Sequence, residues 1–131
     1  MTNSPFSAVS QGPKTARIAA LSLTATIIIL SLVPASLRPE TGTPHLLEHF
    51  TIYAATGFTF GLGFTRRHDL LAILLVIFCG SIEIAQLFVP GRHARLSDFT
   101  IDAVSACIGL GTSSLLGLAR SRVPASKSDF H

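Results

Sequence analysis

The residues of this sequence that could act in catalysis or ligand binding are polar side chains inside long apolar stretches. Glu83 and Gln86 are three residues apart, and Asp98 and Asp102 are four apart, so each pair shares one face of a helix. His49 stands in a further apolar stretch. Carboxylate, imidazole and amide groups transfer protons or bind polar ligands. Whether these groups act together depends on the elements that carry them.

The composition indicates that these elements lie in a membrane. The 131 residues are 48% apolar and 13% charged, with a mean hydropathy of +0.54, whereas soluble domains carry roughly 25% charged residues. High hydrophobicity excludes a disordered chain, and two cysteines exclude a disulfide-built scaffold. The basic residues that give the net charge of +3 are spread over short connections. We therefore expect no nucleic-acid partner.

The charged residues divide the chain into four long apolar stretches. Each stretch is close to the roughly 20 residues that a helix needs to cross the hydrocarbon core. We predict an all-α integral membrane bundle of four transmembrane helices, at approximately 18–35, 46–64, 70–89 and 100–118. They form a single domain at 18–119, between a cytoplasmic N-terminal tail at 1–17 and a cytoplasmic C-terminal tail at 120–131.

Lysine and arginine residues indicate the orientation, because short cytoplasmic loops carry an excess of them. One side of the predicted bundle has seven: Lys14, Arg17, Arg66, Arg67, Arg120, Arg122 and Lys127. The other side has three: Arg38, Arg92 and Arg95. Both termini are therefore predicted to be cytoplasmic. The first apolar stretch also fits a signal peptide cleaved after Ala35, but its length and the polytopic remainder favour a retained helix.

This topology brings the polar groups to one place. Helices 2 and 4 begin, and helix 3 ends, on the exterior side, so His49, Glu83 and Asp102 should meet there. An ionised carboxylate at mid-membrane costs about 2.5–3.5 kcal/mol, so Glu83 should be paired, protonated or facing water.

Arginine is the natural partner of such a carboxylate, because it can hold both oxygens. Arg92 and Arg95 are the nearest candidates, and the Pro90-Gly91 turn would let Arg92 fold back over Glu83. The predicted ligand-binding residues are His49, Glu83, Gln86, Arg92, Arg95, Asp98 and Asp102. The catalytic candidates are Glu83, His49 and Asp102. Asp98 also fits the N-cap position of helix 4.

Two further patterns have simpler explanations. The run His45-Leu-Leu-Glu48-His49 matches the H-x-x-E-H motif of some zinc peptidases, with Glu83 as a conceivable further ligand. Five-residue matches arise easily by chance, so we expect no metal and no other cofactor. Small residues at every fourth position predict close packing of helices inside the bundle rather than homodimerisation. They are Gly57 and Gly61 on helix 2, and Ser105, Gly109, Ser113 and Gly117 on helix 4.

A longer pattern joins helices 2, 3 and 4. It consists of His49-Phe50 with Tyr53, then Glu83-x-x-Gln86-x-x-x-Pro90-Gly91-Arg92, then Asp98-x-x-x-Asp102. Over residues 44–118 this resembles the VanZ-like membrane proteins, whose pattern reads approximately D-K-x-x-H-F, E-x-x-Q-x-x-x-P-G-R and D-x-x-x-N-x-x-G. Leu46 stands where that family often has Lys, Asp102 where it often has Asn, and Ser105 where Gly is usual. The site here is therefore more acidic.

The resemblance implies a small multi-pass protein of the bacterial cytoplasmic membrane. The family is named for resistance to the glycopeptide teicoplanin, and no biochemical activity is established for it. We expect a cell-envelope protein that contacts membrane lipids, binds a headgroup or lipid-linked ligand at its exterior face, and affects the response to glycopeptides or envelope stress.

Three alternatives remain open at this point. The first is a membrane-embedded enzyme with Glu83 and His49 as its acid–base pair. The second is an ion- or proton-coupled transporter that uses Glu83 as the carrier. The third is a structural protein whose polar cluster only locks the bundle. The sequence leaves the ligand, any catalysis and the oligomeric state undetermined.

Overall fold

The computed structural model describes residues 12–37 and 42–122, and its secondary structure is helical. The helices are α1 (Lys14–Leu32), α2 (His45–Gly63), α3 (His68–Gln86) and α4 (Leu96–Arg122), with a 3₁₀ turn at Ala35–Leu37 after α1. The predicted all-α architecture is confirmed.

The helix ends depart from the predicted bounds for local reasons. α1 stops at Leu32 because Pro34 disfavours helical geometry at the residue before it, and Val33 is extended. Both α1 and α4 continue into the predicted tails, α1 from Lys14 and α4 to Arg122. The other residues of the two predicted tails, 1–11 and 123–131, lie outside the described residues.

Contacts at one end of the bundle join the start of α1, the end of α2 and the start of α3. The Gly12 N–H donates to the Gly63 carbonyl at 2.8 Å. The His68 ring lies 3.2 Å from the Gly61 carbonyl oxygen and 3.1 Å from the Ser114 hydroxyl of α4. We call this the proximal end, and the opposite end, where α2 and α4 begin, the distal end. Successive helices are thus antiparallel.

Small residues let α2 and α4 approach closely, and this pair makes the most extensive contact in the bundle. A Cβ at Gly57 would collide with the Ala106 carbonyl, and one at Gly109 with the Ala54 carbonyl. Gly61 lies against the Ser113 side chain. The predicted use of the small residues for packing within the chain is confirmed for this pair.

The exterior of the bundle is apolar, unlike that of a soluble protein. Large apolar side chains such as Leu21, Ile29 and Ile77 are exposed. The interior combines an apolar core with the buried carboxylates of Glu83 and Asp102, which soluble proteins bury only rarely. An apolar exterior suits a lipid environment, where buried polar groups must find partners inside the bundle.

Among the described helices, α1, α3 and α4 are long and apolar enough to cross a membrane, which indicates a membrane protein. α2 has 19 residues, as do α1 and α3, but its first turns carry His45, Glu48 and His49. These residues lower its hydropathy. Three of the four predicted spans are thus supported by length and composition.

The hydroxyl groups of three threonines on α2 are satisfied without water. Thr51, Thr56 and Thr59 of α2 each donate to the main-chain carbonyl four residues earlier, at 2.7–2.9 Å. Such bonds remove the need for a solvent partner. The threonines of α2 are therefore compatible with an apolar surrounding.

Candidate functional site

A histidine–aspartate pair joins α2 to α4 near the distal end. His49 Nδ1 lies 2.8 Å from Asp102 Oδ1, and Asp102 is only 1% exposed. Because a carboxylate accepts hydrogen bonds, Nδ1 is the donor and Nε2 remains available for another partner. Of the two acids considered as partners of His49 in the enzyme alternative, Glu83 and Asp102, the structure places Asp102 in hydrogen-bond contact, since both residues lie on the α2–α4 seam closed by the small residues.

Three rings follow one face of α2 at intervals of four residues. The His45 and His49 rings have centroids 4.3 Å apart, and His49 and Tyr53 stack at 6.0 Å with an interplanar angle of 21°. His45 is exposed, whereas Tyr53 is 2% exposed and its hydroxyl faces Asp102. The rings thus form a column from the surface to the buried carboxylate. Tyr53 was not among the predicted site residues, although its four-residue spacing from His49 indicated a shared face.

α3 contributes two buried polar side chains close to its C-terminal end. Glu83 is 7% exposed and Gln86 5%. Glu83 Oε2 accepts the main-chain N–H of Arg95 at 3.1 Å. Asp98 and Asp102 are both close enough to repel the Glu83 carboxylate. This bond uses the Arg95 backbone, whereas the prediction was a contact of the arginine side chain with the Glu83 carboxylate.

Arg92 does not fold over Glu83 as predicted, and instead reaches the C-terminal end of α1. Its Nη2 donates to the Leu30 carbonyl at 2.6 Å and to the Val33 carbonyl at 3.3 Å. The last carbonyls of a helix lack partners within it and carry partial negative charge, so they attract a guanidinium. Gly91, with φ +75°, makes the turn that precedes Arg92.

Asp98 is also placed differently from the prediction. α4 begins at Leu96, and the N–H groups of Asp98 and Phe99 both bond to the Arg95 carbonyl. Arg95 therefore occupies the N-cap position. Asp98 lies in the first turn, where the helix dipole favours its charge, and it accepts a 3.2 Å hydrogen bond from the Ser97 hydroxyl.

Three buried oxygens of this region have no hydrogen-bond partner among the described residues. They are Glu83 Oε1, Asp102 Oδ2 and the Tyr53 hydroxyl. A buried polar atom without a partner costs about 1–3 kcal/mol. We call His49, Tyr53, Glu83, Gln86 and Asp102 the distal polar cluster. Its free oxygens suit a group rich in hydrogen-bond donors.

An open apolar groove runs along the α2–α4 seam beside the cluster. Its volume is about 510 Å³, and Leu46, Leu47 and Phe50 of α2 line it together with Ile101, Val104 and Ser105 of α4. Ser105 is buried and lies one helical turn from Asp102. The groove thus lies on the same two helices as His49 and Asp102, one helical turn from Asp102 along α4.

Within 12–37 and 42–122, no three histidine, cysteine or carboxylate side chains are arranged to hold a metal ion. The H-x-x-E-H run at His45–His49 therefore does not form such a group with any described residue.

Compared with known protein families, curated proteins and solved structures, the chain matches none of them. Its class is therefore defined by its own architecture: a helical membrane protein with a buried polar cluster near one end.

Proposed function

We propose that this chain is a VanZ-like protein of the bacterial cytoplasmic membrane. In this proposal all four helices span the bilayer, the proximal end faces the cytoplasm, and the distal polar cluster lies near the exterior surface and binds a headgroup or lipid-linked ligand.

The proposal that α2 spans rests on its length and position. Nineteen residues at about 1.5 Å each give roughly 28 Å, close to the hydrocarbon thickness of about 30 Å. α2 packs between α1 and α4, and α4 is long and apolar enough to span. The polar residues of α2 are concentrated at its distal start, where headgroups would surround them.

The observation that carries the ligand proposal is the meeting of His49, Glu83 and Asp102 from three different helices. Ionisable groups inside a membrane bundle are expensive, and for that reason they commonly mark functional sites. His49 comes from α2 and Asp102 from α4, and the glycines of these two helices fix the distance between them. A rigid frame of this kind is what a binding site requires.

A deletion strain tests this proposal. The strain is screened for altered growth with glycopeptides and membrane-active compounds, and then complemented with the parent chain, Glu83→Gln or Asp69→Asn. Asp69 is the matched control, because it is an exposed acid in the first turn of the same helix. We expect the parent and Asp69→Asn to restore growth and Glu83→Gln to fail. Equal restoration by all three would reject the proposal.

The His49–Asp102 bond favours one second candidate, a membrane-embedded enzyme. An aspartate that accepts from Nδ1 orients the imidazole so that Nε2 can act as a general base. His49 would then be the base, Asp102 its positioning residue and Glu83 a separate acid. Purified protein is assayed for turnover of lipid-linked substrates, with His49→Gln as the variant. Turnover that survives His49→Gln, or no turnover by the parent, would exclude this candidate.

A further inference from the structure

We propose that the ligand of the distal polar cluster is a phospholipid with a primary ammonium headgroup, and that the groove between α2 and α4 holds one of its acyl chains. This inference rests on the proposed function and names the chemistry of the ligand.

The charge balance of the cluster points to a cation. Glu83 and Asp102 are both more than nine-tenths buried. In the part of the chain that the structure describes, Asp102 pairs with His49, and neither carboxylate is bridged to a lysine or arginine side chain. Arg92, which would have balanced a phosphate here, is directed to the end of α1. A positively charged ligand group therefore complements the Glu83 and Asp102 carboxylates.

The number of free acceptors matches a primary ammonium. Glu83 Oε1 and Asp102 Oδ2 are buried without partners among the described residues. The Tyr53 hydroxyl lies beside Asp102, to which it can donate while its lone pair still accepts. A primary ammonium has three N–H donors, one for each of these three acceptors. A trimethylated ammonium has none, so it could donate to none of them. The cluster should therefore discriminate against N-methylation.

The ring column marks the direct route from the surface to the buried acids. It extends from the exposed His45 ring to the Tyr53 hydroxyl beside Asp102. Arg95 lies exposed in the loop directly above Glu83, to which its backbone bonds. It is suited to the phosphate that follows the ammonium in such a headgroup.

The groove supplies the apolar half of the site. Its walls are leucine, isoleucine, valine and phenylalanine side chains, and it lies on the same seam as Asp102. An acyl chain in the groove would place the lipid headgroup at the distal end of α2, where the ring column begins. A soluble amine would leave these walls unused.

Native mass spectrometry of the detergent-purified full chain tests the proposal with lipids of identical dioleoyl chains. The probes are phosphatidylethanolamine, phosphatidylcholine and phosphatidylglycerol, with glycerophosphoethanolamine as the acyl-free arm. Only the ethanolamine lipid brings a charged N–H donor to the cluster, so we expect it to bind at least about tenfold more tightly than either other lipid, a difference of about 1.4 kcal/mol. The acyl-free compound should bind much more weakly.

Variants connect this preference to the cluster. Glu83→Gln and Asp102→Asn should each abolish the preference, Tyr53→Phe should reduce it, and Asp69→Asn should leave it unchanged. Circular dichroism and size-exclusion chromatography are the controls for the folding of each variant. The comparison of lipids on the parent chain does not depend on any variant.

Each contrary outcome overturns a defined part of the account. Equal binding of the ethanolamine and choline lipids rejects the ammonium. Equal binding of glycerophosphoethanolamine rejects the acyl groove. Preference for phosphatidylglycerol that depends on Glu83 rejects this inference and keeps headgroup binding as the function. Lipid binding that no cluster variant alters rejects both this inference and the proposed function.

Discussion

At the scale of single residues, the central interaction is the bond between His49 and Asp102. Asp102 is 1% exposed, so its carboxylate depends on a hydrogen-bond donor inside the bundle. Removing one partner of a buried pair leaves the other uncompensated, and this usually costs more than the pair contributes. The two partners should therefore respond differently to substitution.

His49→Ala should destabilise the bundle by about 3–5 kcal/mol, because it leaves the Asp102 carboxylate buried without its donor. Asp102→Asn should cost at most about 1.5 kcal/mol, since its side-chain oxygen still accepts from Nδ1 and no charge is left behind. The measurement is unfolding in detergent followed by circular dichroism.

The double variant is the control for this pair. When Asp102→Asn is added to His49→Ala, part of the lost stability should return, with a coupling of about 0.5–3 kcal/mol. Additive losses would show that the two residues do not depend on each other.

At the scale of elements, the α2–α4 contact sets the geometry of the cluster. Gly109 fits between the Ala54 carbonyl and the Phe58 N–H of α2, whereas Gly111, two residues later, has open space around it. Substituting alanine at each of these two glycines separates the effect of helix packing on stability from the effect of helix propensity.

Gly109→Ala should destabilise the bundle by about 1–3 kcal/mol, because the added methyl group collides with backbone atoms of α2. Gly111→Ala should be neutral or stabilising by up to about 1 kcal/mol, since alanine favours a helix. Thermal unfolding of both variants measures the difference. Similar losses at both glycines would contradict the close α2–α4 contact.

The elements and the site were predictable to different extents. The positions of charges located all four helices, and antiparallel order then brought His49, Glu83 and Asp102 to one end. The direction of Arg92 was not predictable, because its acceptors are main-chain carbonyls of α1 that come close only after α1 packs. For the same reason, periodicity could place Tyr53 on the face of His49 but could not show that it is buried beside Asp102.

At the scale of the whole molecule, the account requires a definite topology. Reporter fusions after Arg66, His93 and Arg122 distinguish four spans from three, with alkaline phosphatase active outside and green fluorescent protein fluorescent inside. We expect the Arg66 and Arg122 fusions to report the cytoplasm and the His93 fusion the exterior. An exterior signal after Arg66 would show that α2 does not span.

The orientation also decides which ligands reach the cluster. With the distal end outside, the site meets the outer leaflet of the cytoplasmic membrane, where lipid-linked envelope precursors are also exposed. With the distal end inside, the same side chains would meet cytoplasmic-leaflet lipids, and a role in glycopeptide response would lose its physical basis.

The central claim is that the distal polar cluster is a functional site and not only a lock on the fold. The most direct measurement plots complementation of the deletion strain against membrane abundance for the parent, Leu75→Ala and Glu83→Gln at graded expression. Leu75 is a buried core residue of α3, eight residues before Glu83. Leu75→Ala should lower stability without changing a cluster residue, so it should follow the parent's curve. We predict that Glu83→Gln falls well below that curve, with function lost at normal abundance. If Glu83→Gln lies on the same curve as Leu75→Ala, the cluster is a lock and the account is wrong.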